Sequence, residues 1–188
     1  MTTSNVSLYG LLRSDALPDA PHIETVIPGL HDRAVVTSDL PDAKNHCAAT
    51  AIANLALYFG NVGKSSALSE TPEDTLRSVY EMVGNGPILF FKRKAERYFL
   101  HHGEIISMRA VSRRELSFAL GRGHICVLLL RDGLFKWHWV LAVGERVYAS
   151  GSRYLVVLDG WHRSRPSYLA IERGTSIVYA LECEMKML

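Results

Sequence analysis

Cys47, His138 and Asp159 are the residues whose types and settings could carry a reaction. Cys47 closes the polar loop DLPDAKNHC and opens the apolar stretch AATAIANLALYF, which puts a thiol in the first turn of a helix. Unpaired backbone N–H groups and the helix dipole favour an anion there. Both lower a thiol pKa, and the thiolate is the nucleophile. His138 lies in KWHWVLAVG, a strand in which Trp137, Trp139, Leu141 and Val143 share one face. His138, Val140 and Ala142 share the other. An imidazole in so apolar a strand needs a hydrogen-bond partner, and flanking indoles would shield an imidazole–thiolate pair from water. Asp159 ends the next strand, YLVVLDGW, where its carboxylate needs a donor that the neighbouring imidazole N–H would supply. Each residue also has a structural reading: a buried cysteine, a hydrogen-bonded core histidine, an Asp-Gly turn. The ordered set is what nucleophilic catalysis requires, with a nucleophile at a helix start, a base on a strand and an orienting group ending the next strand.

The elements that must position these groups can be read from pattern. The stretch from Cys47 to Phe59 is apolar or small nearly all round, broken only by Thr50 and Asn54, so it predicts a central buried helix stopping at Gly60. Thr71-Pro72-Glu73-Asp74 offers a cap, a proline at the first helical position and acids in the first turn. Leu76, Val79, Tyr80 and Val83 then recur at helical spacing. Residues 88–102 form a further helix whose basic stretch Lys92, Arg93, Lys94 and Arg97 reads as a solvated face, with His101 and His102 at its C-terminus. Ser112-Arg113-Arg114-Glu115 is a capping box for a helix ending at Gly121 or Gly123. After Gly123 come the β-rich runs ICVLLL, WHWVLAV, YLVVL, YLAIE and SIVYALECE, separated by turn signals. Helices first and strands afterwards predict an α+β domain with an antiparallel sheet on which the Cys47 helix packs. Residues 1–37, rich in Pro, Asp and Ser, read as an irregular N-terminal arm of a single domain spanning 1–188.

The second half, HWVLAVG and then YLVVLDGWHRSRPSYLAIERGTS, resembles the papain family. Asp159-Gly160-Trp161 occupies the place of that family's Asn-Ser-Trp, and Tyr168 to Gly174 its last strand and turn. Asn45-His46-Cys47-Ala48-Ala49-Thr50-Ala51, with Asn54 and Tyr58-Phe59-Gly60, is similar to the Cys-Gly-Pro helix of a bacterial branch. That branch comprises the bacteriocin-leader-processing (double-glycine) peptidases and their relatives. The run from Glu115 to His124 is also similar to it, and the likeness covers roughly residues 38–183. The resemblance implies a papain-like cysteine peptidase that cuts a peptide or amide bond through Cys47, His138 and Asp159. Two departures stand out. Cys-Gly-Pro is Cys47-Ala48-Ala49 here, and the chain contains no glutamine, the family's usual oxyanion donor. Asn45, two residues before the thiol and able to donate through its amide, is the expected substitute, with the Cys47 N–H as second donor.

Composition fits an ordinary globular domain, with 48% apolar and 21% charged residues. A net charge of only +2 gives no nucleic-acid face, and no apolar run is long enough for a membrane helix. The three cysteines, Cys47, Cys126 and Cys183, do not make a disulfide framework. His46-Cys47 and His124-x-Cys126 lack metal-site spacing, so no metal or other cofactor is expected. The start has no basic region followed by an apolar one, and the expected compartment is the cytoplasm. The expected partner is a peptide or protein substrate. Two other readings fit the same residues: a Cys-His-Asp acyltransferase of transglutaminase or arylamine acetyltransferase type, and a peptidase-like domain that binds peptides without cutting them.

Overall fold

The apolar stretch after Cys47 has too few polar side chains to face water on any side, and it becomes helix α1 (Cys47–Asn61), buried from Ala48 to Phe59. In the computed structural model, residues 8–29, 33–85, 90–134, 136–163, 165–171 and 176–186 are described. The polar exceptions in α1 are each satisfied. Asn54 accepts from the Val35 N–H at 2.8 Å and donates to the Val35 carbonyl at 2.9 Å, so one side chain replaces a strand partner for the segment crossing the helix. Thr50 donates to the His46 carbonyl. Gly60 lies inside the helix and does not end it; a Cβ there would collide with Leu68.

Helix α2 (Pro72–Val83) starts where Thr71 accepts from the Asp74 N–H at 3.1 Å, with proline at the first position. It buries Leu76, Val79 and Val83. Helix α3 (Phe91–His101) buries Phe91, Ala95, Tyr98 and Phe99; the part of the expected helix within 86–89 lies outside the described residues. Helix α4 (Arg113–Gly121) carries the capping box, in which Glu115 accepts from the Ser112 N–H at 2.7 Å.

The strands are β1 (Leu11–Leu12), β2 (His22–Val26), β3 (Ile105–Ala110), β4 (Cys126–Asp132), β5 (Lys136–Tyr148), β6 (Arg153–Leu158), β7 (Ser167–Ala170) and β8 (Ile177–Lys186). They form one sheet in the order β1-β7-β6-β5-β4-β8-β3, with β2 also on β5, and every pairing is antiparallel. The architecture is thus α+β, four helices on an antiparallel sheet, among the described residues. Strand β5 organises the sheet. One edge meets β4 up to Ala142 and then β2 from Gly144, while β6 takes the other edge from Leu141 onward. The exchange from β4 to β2 brings backbones together, and a Cβ at Gly144 would collide with the Thr25 carbonyl.

One sequence expectation is corrected, and one strand had no assignment from sequence. The stretch 1–37 is not simply an irregular arm: it supplies β1 and β2, which extend β7 and β5. Strand β3, unassigned from sequence, pairs with β8 along its whole length. These strands gain their structure from a partner strand and not from an alternating pattern of their own, since β2 is exposed at four of five positions. No helix among the described residues is long and apolar enough to cross a membrane.

Candidate active site

Cys47 is the first residue of α1 and half-buried, at the point where the helix meets β5. Strand β6 does not pair with β5 until Leu141, which leaves the edge of β5 open at Trp139. The Trp139 backbone N–H reaches the Cys47 sulfur there. His138 precedes that residue, so helix start and histidine strand meet at one place. Burial pushes the thiol pKa up; the N–H groups of Trp139, Ala48 and Cys47 and the charge of Lys94 pull it down without reversing the shift. The helix start therefore does not lower the thiol below its ordinary value, as its position in sequence suggests, because desolvation outweighs the amides.

His138 is 3% exposed. Its Nε2 lies 2.6 Å from the Asp159 carbonyl oxygen. A carbonyl can only accept, so Nε2 carries the proton and Nδ1 is left as the basic nitrogen. Trp161 stacks on the imidazole at 4.0 Å between ring centroids and 5° between planes, and Tyr9 closes a second side at 5.3 Å. This enclosure lowers the His138 pKa from 6.5 to about 4, burial being the main cause, with the Asp159 carbonyl and charge working the other way. Above that pH the imidazole is neutral and able to take a proton. At neutral pH Cys47 is therefore a neutral thiol and His138 a neutral imidazole. Tyr9 had no signal in the sequence. Its backbone is left-handed (φ 62°), and its side chain reaches the site because β1 pins the segment beside it to β7.

Asp159 sits beside the histidine, but its carboxylate does something other than the sequence suggests. Oδ1 accepts from the N–H groups of Trp161 (2.8 Å) and His162 (3.0 Å). Oδ2 accepts from Ser167 Oγ (2.6 Å) and His162 Nδ1 (2.7 Å). Burial raises the carboxyl pKa, yet these four donors win and hold it below its ordinary value. Residue 159 thus orients His138 through its backbone carbonyl, and its side chain shapes the turn that carries Trp161. That corrects the expected carboxylate–imidazole contact: the Asp-Gly turn saturates the carboxylate first. The turn itself is docked on the helix side, because Thr37 N–H donates to the Gly160 carbonyl at 2.7 Å and His46 Nε2 donates to the Thr37 carbonyl at 2.8 Å.

Asn45 occupies the left-handed region (φ 52°), which asparagine tolerates better than most residues, and it is exposed. Its amide makes no hydrogen bond among the described residues, so it is free to donate. Lys94, read from sequence as part of a solvated face, is the larger surprise. Its Nζ is shielded from solvent without a hydrogen-bond partner among the described residues, and its charge acts on Cys47.

The other two cysteines are buried in β4 and β8, and burial pushes both thiols up, Cys126 to about 12. His124 is turned to Glu182 at 2.8 Å and not to Cys126. Glu182 also receives Arg109 and Arg122, and these partners outweigh burial to bring its pKa to about 2. This ion cluster has no recognisable signal in the sequence, since its members lie on β3, on β8 and in the connection between α4 and β4. No group of three or more His, Cys, Asp or Glu side chains among the described residues is arranged to hold a metal. No protein-family model matches the chain, and no curated protein matches it.

Proposed function

We propose that this chain is a papain-like cysteine peptidase hydrolysing a peptide or amide bond through an acyl-enzyme. The observation that carries the reading is the meeting of Cys47 and the His138 strand at the open edge of β5, with the imidazole tautomer set by the Asp159 carbonyl. His138 Nδ1 takes the thiol proton as the sulfur attacks the substrate carbonyl. The carbonyl's π pair moves to oxygen, which the Cys47 N–H and Asn45 stabilise. Collapse of the tetrahedral adduct expels the amine, which leaves with the proton from His138. Water then adds to the thioester with His138 as base, the C–S bond breaks to free the acid, and the departing sulfur takes the proton back from His138. No cofactor enters this sequence. Trp161 supports it by excluding water from one face of the base, and the His138 pKa of about 4 leaves the imidazole unprotonated at neutral pH, at the cost of basicity. The substrate is a peptide or protein.

One observation favours a second reading, a domain that binds peptides without cutting them: burial holds the thiol protonated in the resting state. Intact mass after brief treatment with iodoacetamide or the epoxide inhibitor E-64 separates the two. The peptidase reading expects one rapid adduct on wild type, none on Cys47→Ala and a much slower one on His138→Ala. Labelling of Cys47 no faster than a free thiol, or of Cys126 first, would sink the catalytic reading and leave the binding one.

A further inference from the structure

Helix α3 presents two different cationic faces. Lys92 points outward and pairs with Glu96 at 3.7 Å, the ordinary i,i+4 arrangement of a solvated helix. Lys94, two residues on, has Tyr98 four positions ahead and Phe91 three positions behind, both buried. Its own helix therefore offers it no carboxylate. The Phe91 ring packs on the Trp139 ring at 4.5 Å between centroids. Phe91 and Lys94, at i and i+3, lie on neighbouring positions of one helix face. That contact seats this face of α3 against the β5 residue whose N–H meets the Cys47 sulfur. The Lys94 ammonium belongs to this face of α3 and is shielded from water and without a hydrogen-bond partner among the described residues. An ammonium so placed is unfavourable for the fold, and no ion pair among the described residues compensates the penalty. Burial lowers the Lys94 pKa, and Cys47 opposes that fall without reversing it. Among the described residues, Lys94 from α3 and Tyr9 from the turn before β1 are coupled by charge to Cys47, and His138 lies on the strand whose Trp139 N–H meets the sulfur.

We propose that Lys94 is the charge partner of the Cys47 centre, holding the negative charge that forms there during acyl transfer. The assignment rests on the peptidase reading and deepens it. When the S–H proton passes to His138, the charge on sulfur faces the ammonium. When the S–C bond forms and the carbonyl π pair moves to oxygen, the same ammonium faces the oxyanion. Lys94 stays protonated throughout, so proton balance remains between Cys47, His138 and the leaving amine. In a chain without glutamine, a fixed positive charge is another way to supply that stabilisation. The site then favours substrates whose reacting group becomes anionic and carries no cation beside it.

The test compares wild type with Lys94→Met, Lys94→Gln and Lys94→Arg. Two readouts are used: the pH profile of Cys47 alkylation by iodoacetamide, and the burst of p-nitrophenolate from p-nitrophenyl acetate. Lys94→Met and Lys94→Gln should raise the alkylation midpoint by about one pH unit and slow acylation by roughly ten- to a hundred-fold. Lys94→Arg, which keeps the charge, should recover most of both. Lys94→Met should also unfold at higher denaturant, since it removes an unpaired buried cation. An unchanged midpoint and burst in Lys94→Met, with wild-type Cys47 still reactive, would overturn the assignment and leave the peptidase reading intact. A Lys94→Met chain that is less stable would overturn it too, showing a structural role. Inert Cys47 in wild type would remove the peptidase reading and this assignment together.

Discussion

Taking the protein from pH 7 to pH 4.5 should withdraw about 3 kcal/mol of stability through His138 alone. The imidazole is 3% exposed, covered by Trp161 and Tyr9, and its pKa falls from 6.5 to about 4. Unfolding returns it to the ordinary value, so between these two values the unfolded chain binds a proton that the folded chain refuses. Stability then rises with pH across that window and falls as acid is added, by about 1.4 kcal/mol for each unit. Two units, from 6.5 to 4.5, give the figure of about 3 kcal/mol. The pKa values of Glu115 and Glu182 are lowered from 4.5 to about 2, so their contribution is complete above 4.5 and is lost only below it. Urea unfolding of wild type and His138→Gln at both pH values isolates the effect. Glutamine keeps an N–H for the Asp159 carbonyl and does not titrate. The variant should lose less stability than wild type between pH 7 and pH 4.5, by about 2–3 kcal/mol. Equal losses in the two proteins would show that His138 is protonated normally in the fold, and the enclosure argument would be wrong.

Two further outcomes follow from the same geometry. Because the Asp159 carbonyl and not its carboxylate holds His138, Asp159→Asn should leave the rate of Cys47 alkylation within about tenfold of wild type; a fall near ten-thousand-fold, the scale for a lost carboxylate orienter, would restore the carboxylate to that role. Trp161→Ala uncovers the stacked face of the imidazole, so the His138 pKa, followed by its Cε1 proton shift, should rise from about 4 toward 6.5; an unmoved titration would mean that Tyr9 and the strand bury the ring unaided.

Much of the helical framework was legible from residues alone. The Thr71-Pro72 start and the Ser112–Glu115 box announce α2 and α4 because a helix end leaves backbone groups that only a few side chains can satisfy nearby. The strands from β4 onward were legible because buried strands need continuous runs of apolar residues. Strands β1, β2 and β3 were not, because their order comes from the ladder they join: Leu11 meets Leu169 and Val26 meets Gly144, partners more than a hundred residues away. The candidate site shows the same division. Its residue types could be named, while the contact each makes could not.

What the sequence determined by itself is the set of local commitments: a thiol at the start of an apolar helix, an imidazole in an apolar strand, and an aspartate before glycine at a strand end. What only the tertiary structure decided is which effect wins at each of these. Burial outweighs the helix amides at Cys47. The turn's donors claim the Asp159 carboxylate and leave its carbonyl to His138. The packing of Phe91 on Trp139 seats one face of a basic helix on β5, and the Lys94 ammonium loses its water while Lys92 stays exposed. Solvation and charge coupling depend on distances between residues far apart in the chain, and those distances exist only once the sheet has closed around β5.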